Sequence, residues 1–104
     1  MKYILPILLI LPAHAADHRV VNKIIACESS HRPHVWGDGG LAYGQAQFHK
    51  KTFNWMKHKA GMNGLQWKNN AHQVLLLHWA LDNGYGSHWS CFRKLVRSRQ
   101  IVMD

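Results

Sequence analysis

The chain is poor in acidic residues. It has five Asp and Glu against 13 Lys and Arg, which gives a formal net charge of +8 at pH 7. Glu28 is the only glutamate among its 104 residues. Because the chain does not use glutamate to keep its surface soluble, surface solubility does not explain why this single glutamate is present. We therefore infer that the carboxyl group of Glu28 has a chemical role.

Long hydrophobic runs are also missing. The apolar stretch at residues 4–11 is far shorter than the ~20 residues that a membrane-spanning helix needs. Lys2 precedes this stretch and Ala-His-Ala at 13–15 follows it, which is the pattern of a secretory signal peptide. We expect residues 1–15 to be removed, leaving residues 16–104 as one exported domain in the periplasm or outside the cell.

Cysteine is scarce, with only Cys27 and Cys91 present. Two cysteines in a small secreted chain more often pair with each other than bind a metal ion. We predict a disulfide, which over so long a loop contributes roughly 4 kcal/mol in the chain-entropy model. The alternative is two unpaired thiols.

Histidine is abundant, with nine residues, but it does not occur in metal-binding patterns. There is no His-Glu-x-x-His motif, and His31 and His34 are separated by Pro33 in a predicted loop. The sequence therefore predicts no metal site and no cofactor.

Glu28 is predicted to lie on the buried face of a helix. Pro33 disfavours helical geometry at the residue before it, so this helix should stop near Ser30. Apolar residues recur before Glu28 at three- and four-residue steps, namely Val20, Val21, Ile24 and Ile25. The spacing places Glu28 in line with the apolar stripe.

Burial and the nearby helix C-terminus both raise the pKa of a carboxyl group. We therefore expect Glu28 to keep its proton near neutral pH, as a general acid must. The alternative is an ordinary, partly buried glutamate that forms an ion pair with Arg32 or Lys23.

Four short segments follow one another in a characteristic order. They are Glu-Ser at 28–29, Trp-Gly-Asp at 36–38, Gly-Gln-Ala-Gln at 44–47 and Asn-Gly-Tyr-Gly at 83–86. In this order they resemble the motifs of the lysozyme-like superfamily of peptidoglycan-cleaving enzymes, specifically lytic transglycosylases and goose-type lysozymes. The resemblance extends from Val20 to Cys91.

The resemblance implies a small, mainly α-helical lysozyme-like domain with a glycine-rich loop or short hairpin beside a cleft. It also implies cleavage of the β-1,4 bond between N-acetylmuramic acid and N-acetylglucosamine, with Glu28 as general acid and then base. The residues expected to contact the substrate are Ser29, Trp36, Tyr43, Gly44, Gln47, Asn83 and Tyr85. Trp36 is the first candidate for stacking on a sugar, and Ser29 has the alternative of bonding the loop around Glu28.

Two positions depart from the family pattern. Asp82 stands where a tyrosine usually precedes the asparagine, so Tyr43 or Tyr85 would have to support the acid. His49 stands near the place where goose-type enzymes have a second aspartate, which leaves Asp38 to hold a hydrolytic water. We therefore expect a lytic transglycosylase, with a lysozyme that uses Asp38 as one alternative and a non-catalytic glycan-binding protein as the other.

The rest of the chain is predicted to be helical. Helices are expected over residues 50–60 and 71–83 and in a short last segment, followed by a frayed basic tail at 97–100. Asn70 and Ser87 are the expected N-cap residues of the second and third of these helices.

The positive charge indicates an anionic partner. Given the predicted export, we expect peptidoglycan strands and anionic envelope polymers, within the setting of a cell wall or of an envelope secretion or conjugation apparatus. Nucleic acid is not expected, because no DNA- or RNA-binding motif is present.

Overall fold

A computed structural model describes residues 18–102, and the predicted signal peptide lies outside this range. The fold is mainly helical, as expected, with one small antiparallel sheet. Its helices are α1 (His18–Ser29), α2 (Lys50–Lys59), α3 (Asn70–Asp82) and α4 (Ser90–Arg97), and its strands are β1 (Trp36–Gly37), β2 (Ala42–Tyr43) and β3 (Phe48–His49). Within the described range no helix has the length and apolar character needed to cross a membrane.

Helix α1 confirms the prediction from apolar spacing. Val21, Ile24 and Ile25 are buried in the core, and the helix ends at Ser29, one residue after Glu28. The core on the other side is formed by α2 and α3, which contribute the fully buried side chains of Phe53, Met56, Leu76, Leu77 and Ala80.

The start of α3 differs from the prediction by one residue. Asn69, rather than Asn70, is the N-cap, and its Oδ1 accepts a hydrogen bond from the backbone N–H of His72 at 3.0 Å. Asn70 is the first helical residue, and its side chain is used elsewhere in the structure.

The start of α4 also corrects the prediction. Ser87 lies in a separate 3₁₀ turn, Gly86–His88, and the N-cap position of α4 is held by Trp89. Trp89 is fixed there because its buried indole donates a hydrogen bond to the carbonyl of Ala46 at 2.8 Å.

The basic tail is not frayed. Ile101 is buried in the core, and the N–H of Gln100 donates to the carbonyl of Leu95 at 2.9 Å. The carbonyl of Gln100 accepts a hydrogen bond from Lys23 Nζ at 2.7 Å, which ties the tail to α1. The sequence pattern did not predict that the tail packs against the core, because a single apolar residue, Ile101, makes this contact.

The small sheet has two distinct faces. In the antiparallel pairs Trp36 lies opposite Tyr43, and Ala42 lies opposite both Gly37 and His49. Directly opposite residues share a face, and successive residues alternate between faces. One face therefore carries Gly37, Ala42 and His49, and the other carries Trp36, Tyr43 and Phe48.

The predicted disulfide between Cys27 and Cys91 is present and joins the end of α1 to the start of α4. A structural disulfide is typical of proteins that fold in an oxidising, exported compartment.

Candidate active site

An open cleft of about 470 Å³ lies where the end of α1, the start of α4 and one face of the sheet meet. The residues that carry its chemistry are Glu28, Asp38, His49, His88, Ser90 and Arg93. Glu28, the predicted acid, and Asp38, which was predicted to act with it only in the alternative of a hydrolytic lysozyme, thus lie in one cleft.

Glu28 is half-buried in the cleft wall. Its Oε2 accepts a hydrogen bond from the backbone N–H of Cys91 at 3.3 Å, in the first turn of α4. Burial raises the pKa of Glu28, as predicted, whereas the Cys91 amide and the positive charge of Arg93 act to lower this pKa. Burial is the largest of the three effects, so the carboxyl group of Glu28 is more readily protonated than that of an ordinary glutamate.

The ion pairs considered as an alternative for Glu28 are not formed by the predicted cations. Lys23 donates to the carbonyl of Gln100, and Arg32 Nε donates to the carbonyl of Ser29 at 3.0 Å. The cation beside the acid is Arg93, which the sequence did not indicate because it lies in a distant helix.

Asp38 and His49 form a close pair on the cleft side of the sheet. Asp38 Oδ2 lies 2.6 Å from His49 Nε2, and both side chains are partly exposed to solvent. Asp38 has a left-handed backbone, with φ of 54°. The pair leaves the other ring nitrogen of His49, Nδ1, available to a molecule in the cleft.

His49 was expected only to mark the loss of an aspartate, and its pairing with Asp38 was not predicted. The pairing depends on the register of the sheet, which places Ala42 opposite both Gly37 and His49 and is not visible in the local sequence.

Ser29 bonds the loop instead of facing the cleft. It is buried, and its Oγ donates to the carbonyl of Gln45 at 2.8 Å. The loop that it bonds is the 44–47 segment, whereas the predicted partners were the substrate or the loop around Glu28.

Gly44 is needed for close packing inside the protein. Its φ is +87°, and a Cβ there would lie 2.7 Å from the side-chain amide of Gln73 and 2.9 Å from Asn70 Oδ1. The structure thus gives Gly44 a packing role against α3, and its predicted contact with the substrate stays a prediction.

Gln47 lines the cleft, but its amide hydrogens are engaged by the backbone. Its Nε2 donates to the carbonyls of Val35 at 3.0 Å and Gly44 at 2.9 Å. An amide has only two N–H donors, so the group that Gln47 can offer to a sugar in the cleft is its acceptor oxygen, Oε1.

Two polar residues of α3 that were not predicted as part of the site bind the loop at residues 44–47 and residue 43 before it. Gln73 is fully buried, and its Oε1 accepts from the N–H of Ala46 while its Nε2 donates to the carbonyl of Tyr43. Asn70 Oδ1 accepts from the N–H of Gln45 at 2.8 Å. The signal was a glutamine directly before the apolar run at residues 74–77, since a buried polar side chain must find partners.

Trp36 and Tyr43 lie on the sheet face opposite the cleft-lining residues Ala42 and His49. Their ring centroids are 4.8 Å apart, and Lys68 Nζ lies 5.3 Å from the Trp36 ring. The structure does not bring these two predicted sugar contacts together with Glu28.

Asn83 and Tyr85 also lie away from the acid. Asn83 is exposed at the end of α3, where its Nδ2 donates to the carbonyl of Trp79 at 2.8 Å. Tyr85 stacks on Trp79 with ring centroids 5.5 Å apart. Glu28 is thus held by the Cys91 amide in place of the supporting tyrosine that was expected.

Over residues 18–102 no cluster of three or more His, Cys, Asp or Glu has the arrangement to hold a metal ion. The groups that line the cleft include one half-buried carboxyl and one carboxylate–imidazole pair. Comparisons with protein-family models, curated proteins and solved structures gave no match to this chain.

Proposed function

We propose that this protein cleaves glycosidic bonds in peptidoglycan, with Glu28 as the general acid. The observation that carries the proposal is the position of Glu28, the chain's only glutamate, in the wall of an open cleft where burial raises its pKa. Such an acid can donate its proton to the glycosidic oxygen, which then leaves as a neutral alcohol and not as a strongly basic alkoxide.

The chemistry follows from the protonated carboxyl. Glu28 donates its proton to the glycosidic oxygen, the bond from that oxygen to the sugar C1 breaks, and positive charge develops at C1. Glu28 becomes a carboxylate in this step and can accept a proton in the next one. The Cys91 N–H and Arg93 then favour the charged form that has been created.

Peptidoglycan as the substrate is supported by the ordered motifs at 28–29, 36–38, 44–47 and 83–86, and by charge. The net charge of +8 and the presence of Arg93 in the cleft favour a polymer that bears carboxylates. The β-1,4 bond between N-acetylmuramic acid and N-acetylglucosamine is the bond that the resemblance implies.

The first product we propose is an anhydro sugar. A hydroxyl of the muramic acid residue attacks its own C1, and the Glu28 carboxylate takes the hydroxyl proton. This intramolecular route needs no second base, because the nucleophile is already positioned by the substrate.

The Asp38–His49 pair favours hydrolysis as the second candidate. Asp38 accepts a hydrogen from His49 Nε2, which makes Nδ1 the nitrogen with a free lone pair. A cleft water would transfer a proton to Nδ1 while its oxygen bonds to C1. The imidazolium formed would be stabilised by the Asp38 carboxylate. Before the next turnover it would lose its proton to solvent, and the Glu28 carboxylate would take one up from solvent.

The acid is tested with purified cell walls. We expect Glu28→Gln to lower the rate of clearing by at least about a hundredfold, because general acid catalysis contributes that much. Asp82→Asn, the same change of acid to amide at the exposed end of α3, is the control and should keep the parent rate. A folded Glu28→Gln protein with the parent rate would remove Glu28 from the mechanism and defeat the proposal.

The anhydro and hydrolytic products are distinguished by carrying out the reaction in heavy-oxygen water and analysing the released fragments by mass spectrometry. Anhydro ends without label, with substantial activity retained in Asp38→Asn and His49→Gln, would establish the transglycosylase. Labelled reducing ends, with both variants inactive, would establish the hydrolase. Glycan binding without any soluble product would show a non-catalytic binding protein.

A further inference from the structure

Trp55 is an exposed aromatic residue that is nevertheless held in place. It lies on α2 with 46% of its surface accessible, close to the value of 49% for Trp36. The ring of Tyr85 meets it edge-on with centroids 5.5 Å apart, and the ring of His88 lies 5.9 Å away. Tyr85 is itself stacked on Trp79 of α3, so this exposed indole is supported from the core side.

The surface hollow at Trp55 adjoins the cleft that contains Glu28, because His88 lines both. Thr52, Trp55 and His88 line a hollow of about 250 Å³. A smaller depression shares Thr52 and His88 with this hollow, and shares His49 and His88 with the cleft. An extended ligand can therefore lie along one path from Glu28, past His49 and His88, to Trp55.

We propose that Trp55 forms a sugar-binding subsite for an N-acetylhexosamine unit of the glycan strand whose scissile bond lies at Glu28. The inference rests on the proposed function for the identity of that strand. A flat indole presents an apolar face that matches the C–H face of a pyranose ring. Lys51 also lines the hollow and Lys59 Nζ lies 5.8 Å from the indole, so ammonium groups are at hand for sugar hydroxyls or a muramic acid carboxylate.

Trp36 provides a matched comparison within the same chain. It is equally exposed, but it lies on the sheet face opposite the cleft-lining Ala42 and His49. A glycan that occupies the cleft can therefore reach Trp55 past the shared lining residues His49 and His88, whereas Trp36 lies on the other face of the sheet.

The binding test uses the Glu28→Gln protein, which removes cleavage, and a hexasaccharide of N-acetylglucosamine. We expect Trp55→Ala to weaken binding about tenfold, as removal of a central tryptophan contact does. Trp36→Ala in the same background should leave the affinity within about twofold of the parent, because its ring lies off the path.

Trp55→Ala also removes the packing of Trp55 against Tyr85, so a weaker affinity alone could have a structural cause. A second measurement therefore begins with the protein that retains Trp55. Nuclear magnetic resonance follows the indole N–H of Trp55 as the subsite reporter and the backbone N–H of Cys91 as the cleft reporter. We expect the hexasaccharide to shift both signals with the same saturation curve. In Trp55→Ala the Cys91 signal should still shift, at about tenfold higher ligand concentration.

The outcomes separate the subsite from the function. A Cys91 shift without a Trp55 shift, together with parent affinity in Trp55→Ala, would overturn the subsite and leave glycan binding at the cleft intact. Both shifts in a protein whose parent form releases no product from cell walls would support the subsite and defeat the proposed catalysis. No shift of either signal would overturn both.

Discussion

The backbone N–H of Cys91 donates to Glu28 Oε2, while the side chain of Cys91 is bonded to Cys27, the residue immediately before Glu28. Glu28 thus lies at the C-terminal end of α1 and against the first turn of α4. The disulfide fixes the relative position of these two helix ends. The same residue therefore positions the acid through its side chain and tunes it through its backbone.

The two helix ends act on the acid in opposite directions. The C-terminus of α1 favours the protonated carboxyl, and the N–H groups of α4 favour the carboxylate. Burial raises the pKa of Glu28 despite the contact with Cys91. An acid that must donate a proton and then accept one benefits from an environment in which neither form is strongly disfavoured.

We predict that Glu28→Gln stabilises the protein at neutral pH. Because burial raises the pKa of Glu28 above its ordinary value of 4.5, the folded state retains this proton when the unfolded chain has lost it. Folding stability linked to Glu28 is therefore fully present below pH 4.5 and is lost as pH rises through the folded-state pKa. Glutamine has no charge to bury at any pH.

The measurement for this prediction is urea unfolding of both proteins at a series of pH values that begins below 4.5, the ordinary pKa of the carboxyl group, and rises to neutral pH. The difference in unfolding free energy between variant and parent should be constant at the acid end and should grow in favour of Glu28→Gln as pH rises. A constant difference over the whole range would show that the carboxyl is not perturbed.

The double substitution of Cys27 and Cys91 by serine should lower the free energy of unfolding by about 4 kcal/mol. The loop that the disulfide closes spans a sequence separation of 64 residues, so the unfolded chain gains much freedom when the bond is absent. Denaturant unfolding gives the stability, and clearing of cell walls at a temperature where the variant remains folded gives the activity. We expect activity to fall as well, because the Cys91 amide is no longer fixed beside Glu28; a reduced protein as stable as the oxidised one would contradict this account.

Gly44→Ala should destabilise the protein by about 3 kcal/mol or more, because it adds a steric clash to backbone strain. Gly40→Ala is the control. Both glycines have positive φ, at 87° and 92°, but a Cβ at Gly40 meets nothing within 4 Å, whereas at Gly44 it meets the amides of Gln73 and Asn70. The control should therefore cost only about 1 kcal/mol for the left-handed backbone. Thermal unfolding that shows equal losses for the two variants would mean that the contact between Gly44 and α3 is not tight.

Local sequence was sufficient for the helices and for the state of the acid. Apolar steps of three and four residues before Glu28 predicted α1 and its buried face, since a helix repeats every 3.6 residues. Gly61 and Gly84, both with positive φ, follow the ends of α2 and α3, because glycine adopts the left-handed geometry that ends a helix. Partial burial was enough to predict the direction of the pKa change.

Pairs that are distant in the chain were beyond the reach of sequence patterns, with the disulfide as an exception because only two cysteines were available to pair. Which side of a two-residue strand faces the cleft is decided by register, and the register of this sheet places His49 at the cleft and Trp36 on the other face. The hydrogen bond from the Ala46 N–H to Gln73 and the contact of Tyr85 with Trp55 likewise join elements that only the folded chain brings together.

The sequence by itself determined that an isolated acid would lie near the end of a helix with one buried face, because helix formation and the helix end depend on residues nearby in the chain. The tertiary structure alone decided that Cys91, Arg93 and the Asp38–His49 pair share a cleft with this acid, because their positions depend on how distant elements pack.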